Sequence, residues 1–278
     1  MTTPAHHVAQ ARPVLRSAAV THDGTTTNTD RVRARLIARI RRRYRTLTER
    51  VVVGGPVELD FTRIEDPNRV LDEVAAAEDL RERLGAAAIT QDAAGRPEPL
   101  HLPYWAELWD SAMGVGRFLI AEAAKERGVL WPGCAALDLG CGMGLSGTVA
   151  AALGARVMFA DLEAPALLFA AWNSAPFRDR VRTRQLDWRS DDLGERFDLI
   201  VGADILYERS QWEYLNPFWR SHLAPGGAVV LGEPGRQTGD RFIPWIREHG
   251  WSLTLVEVPV ETRSRPIRVL VLRLPPGG

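Results

Sequence analysis

Beyond Pro132 the chain repeats one pattern. Apolar runs at 135–139, 155–160, 181–186, 197–203 and 227–232 alternate with helical or loop stretches, and two more, 251–257 and 267–273, follow with a short link. Strands separated by helical stretches pair side by side in parallel, each crossover laying a helix on one sheet face. The pattern therefore predicts a doubly wound α/β domain. A chain of 278 residues, 45% hydrophobic and 25% charged, has enough apolar surface for such a core. No apolar run approaches the roughly 18 residues that a membrane helix needs. Lys plus Arg and Asp plus Glu are 35 each, which offers no general attraction to nucleic acid or a membrane surface. Cys134 and Cys141 are too few for a disulfide framework, and neither they nor the six histidines show ligand spacing, so no metal is expected. The start of the chain lacks a continuous apolar secretory segment, and a cytoplasmic protein is expected.

Residues 1–30 show no hydrophobic period and read as a disordered tail. Nine arginines then fall between Arg31 and Arg50 against a single acid, Glu49. Val32, Leu36, Ile40, Tyr44 and Leu47 recur at helical spacing in that run, predicting an amphipathic helix whose basic face is solvated. Residues 50–62 read as a strand or hairpin around Gly54-Gly55-Pro56, residues 67–84 as a helix, and 91–99 as a polar link. The expected organisation is thus a tail (1–30), an N-terminal helical and hairpin extension (31–100) and the α/β domain (101–278). An apolar stripe must be buried somewhere, so the extension is expected to form a lid over the cleft or a homodimer contact.

The first strand of the alternation ends in Leu137-Asp138-Leu139-Gly140-Cys141-Gly142-Met143-Gly144. A glycine-rich turn between a first strand and its helix lets a ligand approach the backbone closely. The spacing is G-x-G-x-G rather than the dinucleotide G-x-G-x-x-G, since position 145 is Leu. Asp138 stands where it would repel a pyrophosphate and suit a cationic ligand. Asp161, about 20 residues on, ends the next strand, where a carboxylate accepts hydrogen bonds from ribose hydroxyls. A positively charged nucleoside without phosphate fits this loop better than NAD does, and S-adenosylmethionine is such a molecule.

These residues resemble motif I of the class I, seven-β-strand methyltransferases. Leu186-Asp187-Trp188 and Ala203-Asp204-Ile205-Leu206-Tyr207 resemble their later motifs. Together with Pro103-Tyr104-Trp105-Ala106-Glu107-Leu108-Trp109 and Gly232-Glu233-Pro234-Gly235-Arg236, they are similar to the lysine-methyltransferase-like family 16, nearest its electron-transfer-flavoprotein branch. The resemblance runs from about residue 57 to 273. It implies a Rossmann-like, seven-stranded, mostly parallel sheet with an antiparallel strand near the C-terminus, and S-adenosylmethionine turned over to S-adenosylhomocysteine. It also implies a cofactor set of Trp109, Asp138, Gly140, Gly142, Gly144, Asp161, Leu162, Asp187, Trp188 and Ala203. Within that set Gly140 and Gly142 face the methionine part, Asp161 the ribose, and Asp187 and Trp188 the adenine. Asp204, Tyr207 and Glu233 are the implied catalytic residues; the branch usually carries Asp where this chain has Glu233. Trp105, Glu107, Glu208 and Arg236 are the implied acceptor contacts.

Methyl transfer from a sulfonium is an in-line displacement that needs alignment and exclusion of water, and a nitrogen acceptor must arrive without its proton. The added N-terminal helix and the tryptophan-rich approach favour a small metabolite as acceptor, methylated on nitrogen or aromatic carbon. A protein lysine is the alternative. A non-catalytic binding protein that keeps the fold is the third reading, opposed by the intact glycine loop and Asp161.

Overall fold

The structure, a computed structural model, describes residues 28–83 and 102–275. Most of the expected tail and the link at 91–99 lie outside these residues. The chain begins with helix α1 (Asn28–Arg41), then β1 (Thr46–Gly54), β2 (Val57–Ile64) and α2 (Pro67–Arg83). A short 3-10 turn at Tyr104–Ala106 leads into α3 (Asp110–Ala123), and the alternation follows as β3 (Ala135–Leu139), α4 (Leu145–Ala152), β4 (Arg156–Asp161), α5 (Ala164–Asn173), β5 (Val181–Gln185) and β6 (Phe197–Ala203). It closes with α6 (Arg209–His222), β7 (Leu223–Glu233), α7 (Gln237–Glu248), β8 (Ser252–Val258) and β9 (Ile267–Arg273). The expected strands appear in place, β7 beginning earlier than its apolar run.

The seven strands form one sheet in the order β5-β4-β3-β6-β7-β9-β8. The five from β5 to β7 are parallel, and β9 runs antiparallel to both neighbours because the β8–β9 link is too short to carry a crossover. The chain leaves β3 outward through β4 and β5 and returns to β6 on the other side. That reversal opens a crevice above the carboxyl ends of β3 and β6. Residue alternation divides the core. Ala136, Phe159, Leu199 and Val201 bury against the layer of α3, α4 and α5, whereas Leu137, Leu139, Ile200 and Leu231 bury against α6 and α7. Four of the nine tryptophans, Trp212, Trp219, Trp245 and Trp251, pack together in that α6–α7 layer.

The extension is joined to the sheet domain rather than set apart from it. Val51, Val53, Phe61 and Ile64 of the hairpin share one buried cluster with Leu145, Val149 and Phe169. Gly116 of α3 permits this approach, since a Cβ there would stand 2.9 Å from Val53 Cγ1. Asn173 at the end of α5 pins the hairpin: its Oδ1 accepts the Thr62 N–H, and its Nδ2 donates to the carbonyls of Thr62 and Met143. The predicted first helix requires correction. It ends at Arg41, Tyr44 lies in the following turn, and Leu47 belongs to β1 with 41% of its surface exposed. The buried side runs through Leu36, Ile37 and Ile40 instead of Val32, which is 47% exposed. The period of the pattern was sound, but its second half belonged to the strand that follows.

Candidate functional site

Gly140, Gly142 and Gly144 all take the left-handed backbone, with φ of 63°, 51° and 85°, so the loop turns sharply between β3 and α4. Their smallness serves the protein as well as a ligand. A Cβ on Gly140 would stand 2.9 Å from Ile205 Cγ2, and one on Gly144 would meet Ala170 at 2.8 Å. Two carboxylates hold the loop from within. Asp138 Oδ2 accepts the Gly147 N–H at 2.8 Å, while Asp161 Oδ2 accepts the Gly142 N–H at 2.8 Å and its Oδ1 the Glu163 N–H at 2.9 Å. Two of the backbone amides that could join an anion nest at this helix N-terminus are therefore engaged by the chain's own carboxylates. Two carboxylates so close disfavour a phosphate, whereas an uncharged ribose and a cationic sulfur meet no such conflict.

Asp138 differs from expectation. It is 2% exposed and does not line the cleft, and burial pushes its carboxyl up to about 8. Burial thus favours its neutral form, and through the Gly147 N–H it positions the start of α4. Asp161 does line the cleft, and burial outweighs the backbone donors of Glu163, Gly142 and Leu162 to push it up to about 6. Each of its oxygens keeps a lone pair free for a hydroxyl.

The cleft has two joined parts. The first, about 150 Å³, is walled by the glycine loop, Asp161, Ala203, Asp204 and the Trp105–Trp109 segment. The second, about 190 Å³, is walled by Asp187, Trp188, Glu208 and Gln211. Leu102, Tyr104, Leu162 and Tyr207 line both. Neither part alone reaches the roughly 300 Å³ of a small-ligand site, but the two joined do. Trp188 is fixed by its Nε1 donating to Gln211 Oε1 at 3.0 Å, and its ring edge lies beside Gly140. Asp187 is folded back on its own loop, its carboxylate accepting from the Arg189 backbone and guanidinium. This pairing leaves it less available to an adenine amine than the sequence suggested.

At the carboxyl end of β6, Asp204 has φ of 58°, the sole positive value at a non-glycine among the described residues. Its N–H donates to the Gly232 carbonyl at 2.8 Å, and its Oδ2 accepts from Arg236 Nη2 at 3.0 Å. Burial raises its carboxyl to about 6, with the Arg236 charge opposing the rise and Glu233 adding to it. Such backbone strain persists only where the surroundings enforce it, and it aims the carboxylate into the first part of the cleft. The Arg236 guanidinium also lies 5.4 Å from the centre of the Trp109 ring, while Trp109 Nε1 donates to the Tyr104 carbonyl. Tyr207 packs edge-on against Tyr104 with centroids 5.5 Å apart, and burial lifts its phenol to about 12.

Glu233 does not fit the role of a base. It is 2% exposed and lines neither part of the cleft. Its Oε2 accepts the N–H groups of Gly235 and Arg236, and its Oε1 is paired with Arg268. It holds the turn that presents Arg236. Glu107 and Glu208 line the first and second parts, but Arg236 reaches the site only through Asp204 and Trp109. None of the α1 residues whose side chains are described, from Arg31 on, lines the cleft; Tyr44, beyond the helix, packs on Trp105 at 5.5 Å between centroids. Tyr104, Leu102, Ile205, Gln211 and the supporting Asn173 were missed. Tyr104 stood inside a motif already singled out, while nothing in the sequence around Asn173 marks it. Among the described residues no cluster of His, Cys, Asp and Glu is placed to hold a metal ion, and no helix is long and apolar enough to cross a membrane.

Residues 105–246 match the lysine methyltransferase family model, half of the chain. The chain belongs to this family. Protein N-lysine methyltransferase METTL21A of Mus musculus is 35% identical over 136 residues, 45% of this chain and 58% of that protein. Histone-arginine methyltransferase METTL23 of Rattus norvegicus is 32% identical over 180 residues, 60% of this chain and 75% of that protein. The electron transfer flavoprotein beta subunit lysine methyltransferase of Mus musculus is 29% identical over 149 residues, 50% and 53% of the two chains. The chain thus spans between half and three quarters of the length of these relatives. Among solved structures, the glycopeptide N-methyltransferase MtfA complexed with sinefungin superposes with a TM-score of 0.50 at 16% identity, covering 60% of this chain and 95% of that one. That likeness is one of fold, a doubly wound seven-stranded sheet.

Proposed function

We propose that this methyltransferase transfers the methyl group of S-adenosylmethionine to a lysine amine of a protein. The observation that carries the reading is the two-part cleft. One part runs under a glycine loop held by Asp138 and Asp161, the other has Trp188 on its wall, Tyr207 lines both, and Asp204 lines the first. The family and the lysine specificity that METTL21A carries in its name support the acceptor. A small-metabolite acceptor is the second reading: the Trp105–Trp109 segment does wall the first part of the cleft, but the family favours lysine, and α1 residues with described side chains line neither part.

S-adenosylmethionine, when bound, supplies a sulfonium methyl with a neutral thioether as leaving group. The residues of the chain do the rest. Gly140, Gly142 and Ala203 would hold the methionine end, Asp161 would accept from the ribose hydroxyls, and Trp188 and Leu162 would pack on the nucleoside. Asp204, whose carboxyl lies near 6, accepts an N–H of the arriving ammonium, which gives up one proton through that carboxylate to solvent before transfer. The Tyr207 phenol oxygen accepts a remaining N–H of the amine, so that the lone pair is left to face the methyl. Trp109 and Tyr104 exclude water and stabilise a cation over their rings.

The test is incubation of the full chain with methyl-labelled S-adenosylmethionine and lysate protein, followed by mass spectrometry of modified residues. Label on lysine is the expected outcome. Label confined to the small-molecule fraction would refute the acceptor. Absence of S-adenosylhomocysteine binding by calorimetry would refute the enzyme and leave the scaffold reading.

A further inference from the structure

A second concavity, about 420 Å³, adjoins the cleft. It lies between β1 and the turn at 260–262 that joins β8 to β9, and it shares Glu107, Leu108, Trp109 and Leu145 with the first part of the cleft. At its far end it shares Val52, Arg117 and Glu261 with a shallower hollow at the Gly54-Gly55 hairpin tip. The result is one trough running from the hairpin tip to the doorway of the cofactor cleft. Its walls were built deliberately close: Arg117 donates to the carbonyls of Val53 and Pro259 and pairs with Glu261, tying hairpin, α3 and the 260–262 turn together.

Three features say what such a trough takes. First, β1 pairs with β2 alone, so its other edge carries no strand among the described residues; apart from the Val53 carbonyl, which Arg117 occupies, it offers main-chain groups to an extended chain. Second, Val52 on that strand is 57% exposed, an apolar β-branched side chain without cover. Third, the lining is acidic in balance, with Glu49, Glu107, Asp110 and Glu261 against Arg63 and Arg117. Glu49, Asp110 and Glu261 are matched by arginines, whereas Glu107 makes no ion pair among the described residues. That one unmatched carboxylate stands at the doorway, close enough to Asp204 to act on its charge.

We propose that the trough seats an extended, basic segment of the acceptor protein along the free edge of β1, and that Glu107 receives its lysine ammonium and passes it to Asp204. This rests on the lysine reading above and adds how the acceptor is recognised. Recognition would be by main-chain pairing and apolar contact at Val52, with the charge of the lysine read at Glu107.

The experiment uses the full chain with S-adenosylhomocysteine bound and fluorescein-labelled decalysine as the probe, followed by anisotropy. Val52→Trp, which fills the trough without changing charge, and Glu107→Gln are each expected to weaken probe binding about tenfold, the scale of one charge-assisted hydrogen bond. Glu248→Gln, an exposed acid at the end of α7, serves as the control for unspecific attraction and is expected to bind as the wild type does. Calorimetry with S-adenosylhomocysteine confirms that each variant keeps a folded cleft. In parallel, methyl transfer to decalysine is measured for every variant. Equal probe binding by Val52→Trp, Glu107→Gln and wild type would overturn the trough even where lysine is methylated. Unchanged binding with loss of self-association in Val52→Trp would overturn it in favour of a second copy of the chain. No transfer to lysine by the wild type would overturn the reading on which the trough rests, whatever the binding.

Discussion

Replacing Asp161 by Ala removes the acceptor of two backbone donors at once, the Gly142 N–H at 2.8 Å and the Glu163 N–H at 2.9 Å. One donor belongs to the glycine loop and the other to the start of α5, so the carboxylate is the clip between them. A buried donor left without a partner costs about 1–3 kcal/mol. Asp161 borders the cleft, so water can reach the vacated space, and the lower half of that range applies to each donor. The expected loss is about 2–4 kcal/mol in total, or roughly 5–15 °C in midpoint for a chain of this size. Affinity for S-adenosylhomocysteine should fall further, by more than tenfold, because the loop loses its fixed shape and the ribose hydroxyls lose their acceptor. Asp161→Asn keeps one acceptor oxygen and faces an NH₂ toward the other donor, so it should fall between. Urea denaturation with and without S-adenosylhomocysteine, paired with calorimetry, separates the two effects. Wild-type stability in Asp161→Ala would refute the clip. Lost stability with unchanged affinity would refute the ribose contact alone.

Gly140→Val should abolish S-adenosylhomocysteine binding while leaving a cooperative unfolding transition, because a branched side chain at φ of 63° must collide with Ile205; near-normal affinity would remove the loop from the site. Asp204→Asn and Tyr207→Phe should each lower kcat more than cofactor affinity, and the acidic limb of the wild-type rate profile, centred near the Asp204 value of about 6, should vanish in Asp204→Asn; full rate in both variants would move the chemistry elsewhere. For Asp138 the folded carboxyl titrates near 8 against an ordinary 3.8, so the folded state holds the proton more tightly. Its contribution to stability is whole below about pH 4 and is lost as the pH rises through about 8. Asp138→Asn, whose amide oxygen still accepts the Gly147 N–H, should therefore gain in urea midpoint relative to wild type at pH 9 and not at pH 4. Ile40→Ala should cost about 2–4 kcal/mol, since Ile40 is 1% exposed in the cluster that α1 shares with Phe169; a surface-like loss would detach α1 from the core.

The sheet was legible in the sequence because a parallel strand buried on both faces must be apolar throughout, and each crossover must be long enough for a helix; these are properties of consecutive residues. The glycine loop, Asp161, Asp204 and Trp188 were legible for a related reason, as they stand at strand ends that the topology gathers into one crevice. Local pattern failed where two elements met. Tyr44 and Leu47 continued the helical spacing of α1 but belong to a turn and a strand, because the hairpin's fit against α4 and α5 outweighed a few tenths of a kcal/mol of helix propensity. It failed again for Asp138 and Glu233, two carboxylates in motif positions that face inward to hold backbone turns. Which way a carboxylate points depends on donors distant in sequence: Arg268 for Glu233, and the start of α4 for Asp138. The trough beside the cleft was out of reach for the same reason. Its walls come from β1, α3 and the 260–262 turn, more than two hundred residues apart in the chain, and only their packing through Arg117 brings them together.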